Sequence, residues 1–227
     1  HELGMEFGLW VEPEMVSPDS SLFRDHPDWA LVTEGYEPLL SRHQLVLDLT
    51  NPDAFDHVLL QLDHLLSNHR IEFLKWDMNR DLVQASDRTG RPASHRQTLA
   101  VYSLLDRLRT RFPSVEIESC SSGGGRIDFG ILPRVSRFWV SDCNDALERQ
   151  HIQRSASMLL PPEMSGAHIG PTTSHTTGRH QSLAFRAATA MFGHLGIEWN
   201  LTALSDDELE DVAHAVAVHK RLRPLLH

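Results

Sequence analysis

The sequence predicts an α/β fold, and within that class an incomplete (β/α)8 TIM barrel carrying strands about three to eight. Three observations point there. Short apolar runs alternate with amphipathic helical stretches, and no hairpin turn is evident between them, so the strands should pair in parallel through crossovers. Several runs end on a reactive side chain, at Glu12, Asp77, Cys120, Asp142 and Asn200. A barrel gathers its site from the carboxyl ends of many strands, whereas an open doubly wound sheet concentrates it at one switch point. No G-x-G-x-x-G turn follows any strand, and the nearest stretch, SSGGGR from Ser121 to Arg126, has the wrong spacing.

The elements follow in order. MEFGLWVEP, Met5 to Pro13, reads as a strand, and HQLVLDL, His43 to Leu49, as a short second one. Asn51 and Pro52 look like an N-cap with proline at the first helical position. Phe55, Val58, Leu59, Leu62, Leu65 and Leu66 then recur at helical spacing. IEFLKWD, Ile71 to Asp77, is the next strand. After a polar loop with Gly90 and Pro92, a helix near Arg96 to Arg111 carries Leu99, Tyr102, Leu105 and Leu108 on one side. VEIESC (Val115 to Cys120), RFWVSD (Arg137 to Asp142), GAHIG (Gly166 to Gly170) and LGIEWNL (Leu195 to Leu201) are further strands. The last helix opens with Ser205 and Glu208 at capping-box spacing, and Leu209, Val212, Ala213 and Val216 form its apolar side. Counting main strands gives about six where a barrel has eight, so two are expected upstream.

Bulk properties narrow the function classes. With 227 residues, 41% of them apolar, the chain can build a sizeable core in one domain. A net charge of -10 spread along the chain argues against nucleic acid and against an anionic membrane surface as partners. No stretch approaches the ~20 apolar residues of a membrane span. Two cysteines, Cys120 and Cys143, are too few for a disulfide framework and suit a reducing compartment, so a cytoplasmic location is expected. The chain starts at His1 without a methionine and stops just after a helix, so a piece of a longer protein is expected.

Lys75 and Asp77 close an apolar run, and two residues apart on a strand they point to one side. Burying either ion unpaired is costly, so each must pair, meet water or do chemistry. Asp77 and Asp142 both end strands near a tryptophan, Trp76 or Trp139. Two such carboxyls facing one another suit glycosidic bond cleavage, in which one stays ionised and the other holds a proton. Lys75 would favour the charged form of Asp77, which makes Asp77 the nucleophile and Asp142 the acid. The competing reading makes both structural, salt-bridged near a barrel rim. Glu12 and Glu14 offer a rival pair. His168, His175 and His180 offer a metal site, although no H-E-x-x-H or H-x-H pattern is present. Cys120 on residue type is a core side chain.

FGLWVEPEMVSPDSSLFRDHPDW, SRHQLVLDLTNP, FLKWDMNR, ESCSSGGGRIDFGIL, WVSDCNDALERQ and SHTTGRHQSLAFRAATAMFGHLGIEWNL occur in that order over nearly the whole chain. They resemble successive motifs of the family 36 α-galactosidases among glycoside hydrolases. The resemblance implies a retaining glycosidase with a central (β/α)8 barrel, of which residues 1–227 are a part. The family's preceding β-sandwich and following β-domain have no counterpart in this sequence. It implies that Asp77 of K-W-D is the nucleophile and Asp142 of W-x-S-D the acid/base. Sugar contacts carry over to Trp10, Arg42, Lys75, Cys120, Gly123 and Trp139.

The expected substrate is a terminal α-galactoside of a raffinose-type oligosaccharide, with no metal and no organic cofactor. The resemblance also implies a homo-oligomer for the full-length protein, formed through accessory domains. The resemblance further implies two adjacent aspartates on an earlier strand that hold the galactose 4- and 6-hydroxyls, and they have no counterpart in this sequence. Many members read S-D-N-T-D where this chain has Ser141-Asp142-Cys143-Asn144-Asp145. The alternatives are an α-N-acetylgalactosaminidase, a raffinose or stachyose synthase-type transferase, a sugar-binding fragment without activity, and a metal-dependent barrel hydrolase.

Overall fold

The computed structural model describes residues 1–226. The chain forms two compact units, His1–Ser122 with Arg126–Ser136, and Gly123–Gly125 with Arg137–His227. The first runs β1 (Gly8–Val11), β2 (Met15–Val16), α1 (Ser21–Asp25), β3 (Leu45–Val46), α2 (Pro52–Asn68), β4 (Phe73–Trp76), α3 (Ser94–Arg111) and β5 (Glu116–Ser119). β4 lies between β1 and β5 and is parallel to both, with Trp10 beside Lys75 and Lys75 beside Glu118. The crossovers are α2 and α3, as parallel pairing demands.

Local chemistry explains these elements. The Asn51 side chain accepts from the Asp53 amide, and Pro52 opens α2. α2 then buries Ala54, Phe55, Val58, Leu62 and Leu66. Leu74 and Trp76 of β4, Ile117 of β5 and Leu104, Leu105 and Leu108 of α3 are all buried. Each such side chain contributes ~1.5–3 kcal/mol on burial. Gln97 is the polar member of the buried α3 face. Its Nε2 donates to the Leu47 carbonyl at 2.9 Å and its Oε1 accepts from the Leu49 amide at 2.9 Å.

The second unit runs β6 (Arg137–Phe138), α4 (Ala146–Ala156), β7 (Gly166–Ile169), α5 (Leu183–Ala190), β8 (His194–Ile197) and α6 (Asp206–Leu226). β7 and β8 pair in parallel. Ala167, Ile169, Ala187, Ala190 and Ala215 make its core. Small residues let α5 and α6 approach closely. The expected capping box is present, since Ser205 N donates to Glu208 Oε2 at 3.0 Å and Glu208 N to Ser205 Oγ at 3.3 Å. Among the described residues, no helix is long and apolar enough to cross a membrane.

Several expectations are corrected. The run from His43 to Leu49 is not a parallel strand: β3 pairs antiparallel with β2, Met15 beside Val46. A two-residue turn is also present, with Ser41 and Gln44 exchanging backbone hydrogen bonds of 3.1 and 2.9 Å. Its central residues, Arg42 (φ 52°) and His43 (φ 61°), contain none of the glycine or asparagine that signals such a turn. On α3, Leu99 is exposed and Tyr102 only half-buried. The inward stripe is Gln97, Val101, Leu104, Leu105 and Leu108. On α6 the inward face turns to Val212, Ala215 and His219, leaving Leu209 and Ala213 outside. Ala215 packs into the α5 cluster and His219 Nδ1 meets the Met191 carbonyl at 3.2 Å, which fixes that rotation.

Replacing Gln97 by alanine leaves the buried Leu47 carbonyl without this donor. We expect a loss of about 2 kcal/mol and faster hydrogen exchange at the Leu49 amide. Unchanged exchange there would refute the bridging role.

Candidate active site

Asp77 is the first residue past β4 and is only 6% exposed. Its Oδ2 accepts from Asn79 Nδ2 at 2.7 Å and from the Trp10 indole at 3.1 Å, while Oδ1 accepts from the Met78 amide at 2.8 Å. Burial pushes this carboxyl up, but the hydrogen bonds from Asn79, the Cys120 thiol, Trp10 and Met78 outweigh it and hold Asp77 below the ordinary carboxylate value. The donors are neutral. Lys75 Nζ lies 3.1 Å from Glu118 Oε1, its in-register neighbour on β5. The ammonium is therefore balanced by a carboxylate that the sequence reading did not single out. Hydrogen bonding from these neutral donors favours the ionised form of Asp77, a cause the sequence reading did not name.

Sequence reasoning also missed Asn79. Its amide donates to both Asp77 Oδ2 and Glu12 Oε1, the latter at 2.9 Å, and its backbone N–H also reaches Glu12 Oε1 at 3.0 Å. Glu12 is thus the anchor of Asn79. Glu14 is closed off: its Oε1 accepts from Trp76 Nε1 at 2.8 Å and from Arg126 Nη1 at 2.7 Å in the interior. The rival pair Glu12 and Glu14 therefore has structural partners on both members.

Arg42 stands at the tip of the Ser41–Gln44 turn, exposed, on a left-handed backbone. A non-glycine residue pays roughly 1–2 kcal/mol there. Arg80 holds the turn in place, donating to the Gln44 carbonyl at 2.7 Å and the Leu39 carbonyl at 2.9 Å. The only hint of this in the sequence was an arginine three residues after Asp77. Within the first unit, Trp10, Asp77 and Cys120 come together and Lys75 pairs beside them. Arg42 stands on the turn that Arg80 anchors.

In the second unit, exposed Asp142 follows β6. The Trp139 indole donates to its Oδ1 at 2.9 Å. Trp139 is itself buried, with the Arg149 guanidinium 4.3 Å from its ring centroid and the His168 ring 4.3 Å away. His168 Nδ1 is 3.1 Å from Glu198 Oε2. His180 lies instead against Thr173. Gly123 has φ +81°, and a Cβ there would sit 2.8 Å from the Ser141 Cα and 3.2 Å from the Asp142 nitrogen. Glycine is required at that point by both conformation and space.

A family model described as Melibiase matches residues 1–227. The chain is 53% identical over 225 residues to an alpha-galactosidase of Escherichia coli, covering 99% of this chain and 32% of that protein. It is 40% identical over 227 residues to the bifunctional alpha-galactosidase/sucrose kinase AgaSK of Mediterraneibacter gnavus, covering 100% of this chain and 24% of that protein. The crystal structure of the GH36 alpha-galactosidase AgaA from Geobacillus stearothermophilus matches with a TM-score of 0.96 at 40% identity, covering 99% of this chain and 32% of that one. Variants of AgaA have been solved in complex with raffinose and with stachyose. The chain thus spans about a quarter to a third of the length of these relatives.

Gly123→Ala is expected to destabilise by the left-handed cost of roughly 1–2 kcal/mol plus overpacking of about 1–3 kcal/mol. Gly90→Ala shares a positive φ (+75°) but meets no atom within 4 Å, so it should incur the first cost alone. Equal melting-temperature losses for the two would refute the close approach.

Proposed function

This chain belongs to the Melibiase family of GH36 α-galactosidases, and from that premise we propose that the protein carrying it is a retaining α-galactosidase. It hydrolyses terminal α-D-galactosides of raffinose-type oligosaccharides. The carrying observation is the state of Asp77, a buried strand-end carboxylate kept ionised by four donors. A nucleophile must be charged before substrate arrives, and donors aimed at its oxygens favour that form.

In this reading Asp77 attacks the anomeric carbon while Asp142 gives its proton to the leaving oxygen, and a β-galactosyl-enzyme forms. Asp142 then takes a proton from water, which displaces Asp77 and restores the α configuration. The mechanism requires the two carboxyls about 5–5.5 Å apart. Arg42, Lys75, Trp10, Cys120, Gly123 and Trp139 are assigned to binding and shaping the galactose site. Trp139 acts there through its bond to Asp142, and Cys120 through its bond to Asp77. β1, β4, β5, β6, β7 and β8 are assigned to one (β/α)8 barrel. That relatives have been crystallised with raffinose and stachyose supports the substrate class.

Two experiments test the reading in the protein that carries this chain. Asp77→Ala should lower kcat by on the order of 10⁴-fold or more, and added azide should restore turnover as β-galactosyl azide. Retained activity, or rescue giving the α-azide, would remove Asp77 as nucleophile. Asn79→Ala takes away a hydrogen bond that stabilises the charged carboxylate, so the Asp77 pKa rises. Activity is lost as pH falls through that pKa, so the acid limb of kcat/KM should move to higher pH. A limb that stays put or moves down contradicts the role given to Asn79.

A further inference from the structure

Asp145 caps α4, its Oδ1 accepting from the Leu147 and Glu148 amides at 2.8 and 3.1 Å. Arg149 lies four residues on. Helical side chains lean towards the N-terminus, so it reaches back over the loop that precedes the helix. Its Nη2 donates to the Ser141 carbonyl at 2.7 Å and its Nε to the Cys143 carbonyl at 2.8 Å. Nη1 donates to the Gly166 carbonyl at the start of β7, at 3.1 Å. The same guanidinium lies 4.3 Å from the centroid of Trp139, whose indole donates to Asp142.

We propose that Arg149 is a positioning residue for Asp142. The inference rests on the reading of Asp142 as acid/base. One planar fork grips the backbone on both sides of Asp142 and also packs on the ring that supplies its hydrogen bond. Ser141 and Cys143 flank Asp142 in sequence, so the two bonds limit rotation of the segment carrying the carboxyl. The bond to Gly166 ties the fork to a strand. Lysine cannot reproduce this, because its ammonium is a point donor without the fixed fork geometry. Arg149 is 2% exposed, so it has almost no surface to offer a substrate. Its effect on the reaction passes entirely through Asp142 and Trp139.

A general acid matters most when the leaving group is poor. A misplaced acid should therefore cripple slow-leaving substrates selectively, whereas general loss of fold lowers all substrates alike. The test compares raffinose or methyl α-galactoside with 2,4-dinitrophenyl α-galactoside, in the protein that carries this chain and well below its melting temperature. For Arg149→Met, kcat/KM on the poor leaving groups should fall about 10²-fold, and on the dinitrophenyl substrate at least tenfold less. Arg149→Lys should show the same selectivity, less strongly, and serves alone if Arg149→Met does not fold. Proportionate losses on both substrates, or no loss, overturn the inference. Asp142→Ala is measured alongside. Selectivity in Asp142→Ala but not at Arg149 sinks the positioning role alone, whereas absence of selectivity in Asp142→Ala sinks the acid/base reading and this inference with it.

Discussion

Buried backbone groups near a strand end must find hydrogen-bond partners, and in this chain side chains four residues past a helix cap repeatedly supply them. Gln97, four after Ala93, satisfies Leu47 and Leu49. Arg149, four after Asp145, satisfies Ser141, Cys143 and Gly166. Arg186, four after Ser182, donates to the carbonyls of Gln181 and Gly170 and to Thr172 Oγ1, and stacks 4.5 Å from the Trp199 ring centroid. The position is dictated by helix geometry: one turn in, a side chain leans back over the N-terminus. A long polar side chain there can fix loop geometry without help from the loop's own sequence.

The same economy governs the charge at Asp77. A cation close enough to hold the carboxylate ionised would also compete for it. Neutral donors stabilise the charge without forming a closed ion pair. The cation of the motif, Lys75, is set against Glu118 on the adjoining strand. Each ion at this strand end is thereby accounted for, and the question raised by charged residues closing an apolar run has a physical answer. Lys75 pairs sideways across the sheet. Asp77 is wrapped by donors from β1, from its own following turn and from the end of β5.

Much of this was legible in the sequence, and what was not has identifiable causes. The strand-end position of Asp77 followed from an apolar run that stops on a carboxylate, whereas the run expected from Arg137 to Asp142 is a strand only at Arg137–Phe138 and leaves Asp142 four residues beyond it. The caps at Asn51 and Ser205 followed from local chemistry. The Ser41–Gln44 turn escaped because Arg42 and His43 carry none of its usual residues, and a left-handed pair of that kind is held by Arg80 from elsewhere in the chain. The inward faces of α3 and α6 were rotated by about one position, since periodicity identifies a stripe but tertiary contacts choose its centre. Glu118 looked like an ordinary charge in a short strand, because its significance lies in the register with Lys75. Arg149 gave no signal, since nothing local indicates that a helical arginine turns back onto a loop.

Three carboxylates cluster on β1, β4 and the segments just past them, and their partners decide which of them can be chemical. Glu14 shares one oxygen between Arg126 and Trp76 in the interior, so its carboxyl is closed off from solvent. Both hydrogen bonds to Glu12 come from Asn79. Asn79 is the hinge of the arrangement. A primary amide has two N–H bonds, and here they go to two carboxylates, Glu12 on one side and Asp77 on the other. Its orientation is therefore unambiguous, because the amide oxygen could face neither. An aspartate at the same place would add a third negative charge, and an alanine would leave two carboxylates with nothing between them. A neutral double donor is the side chain that lets two carboxylates, Glu12 and Asp77, share a strand end.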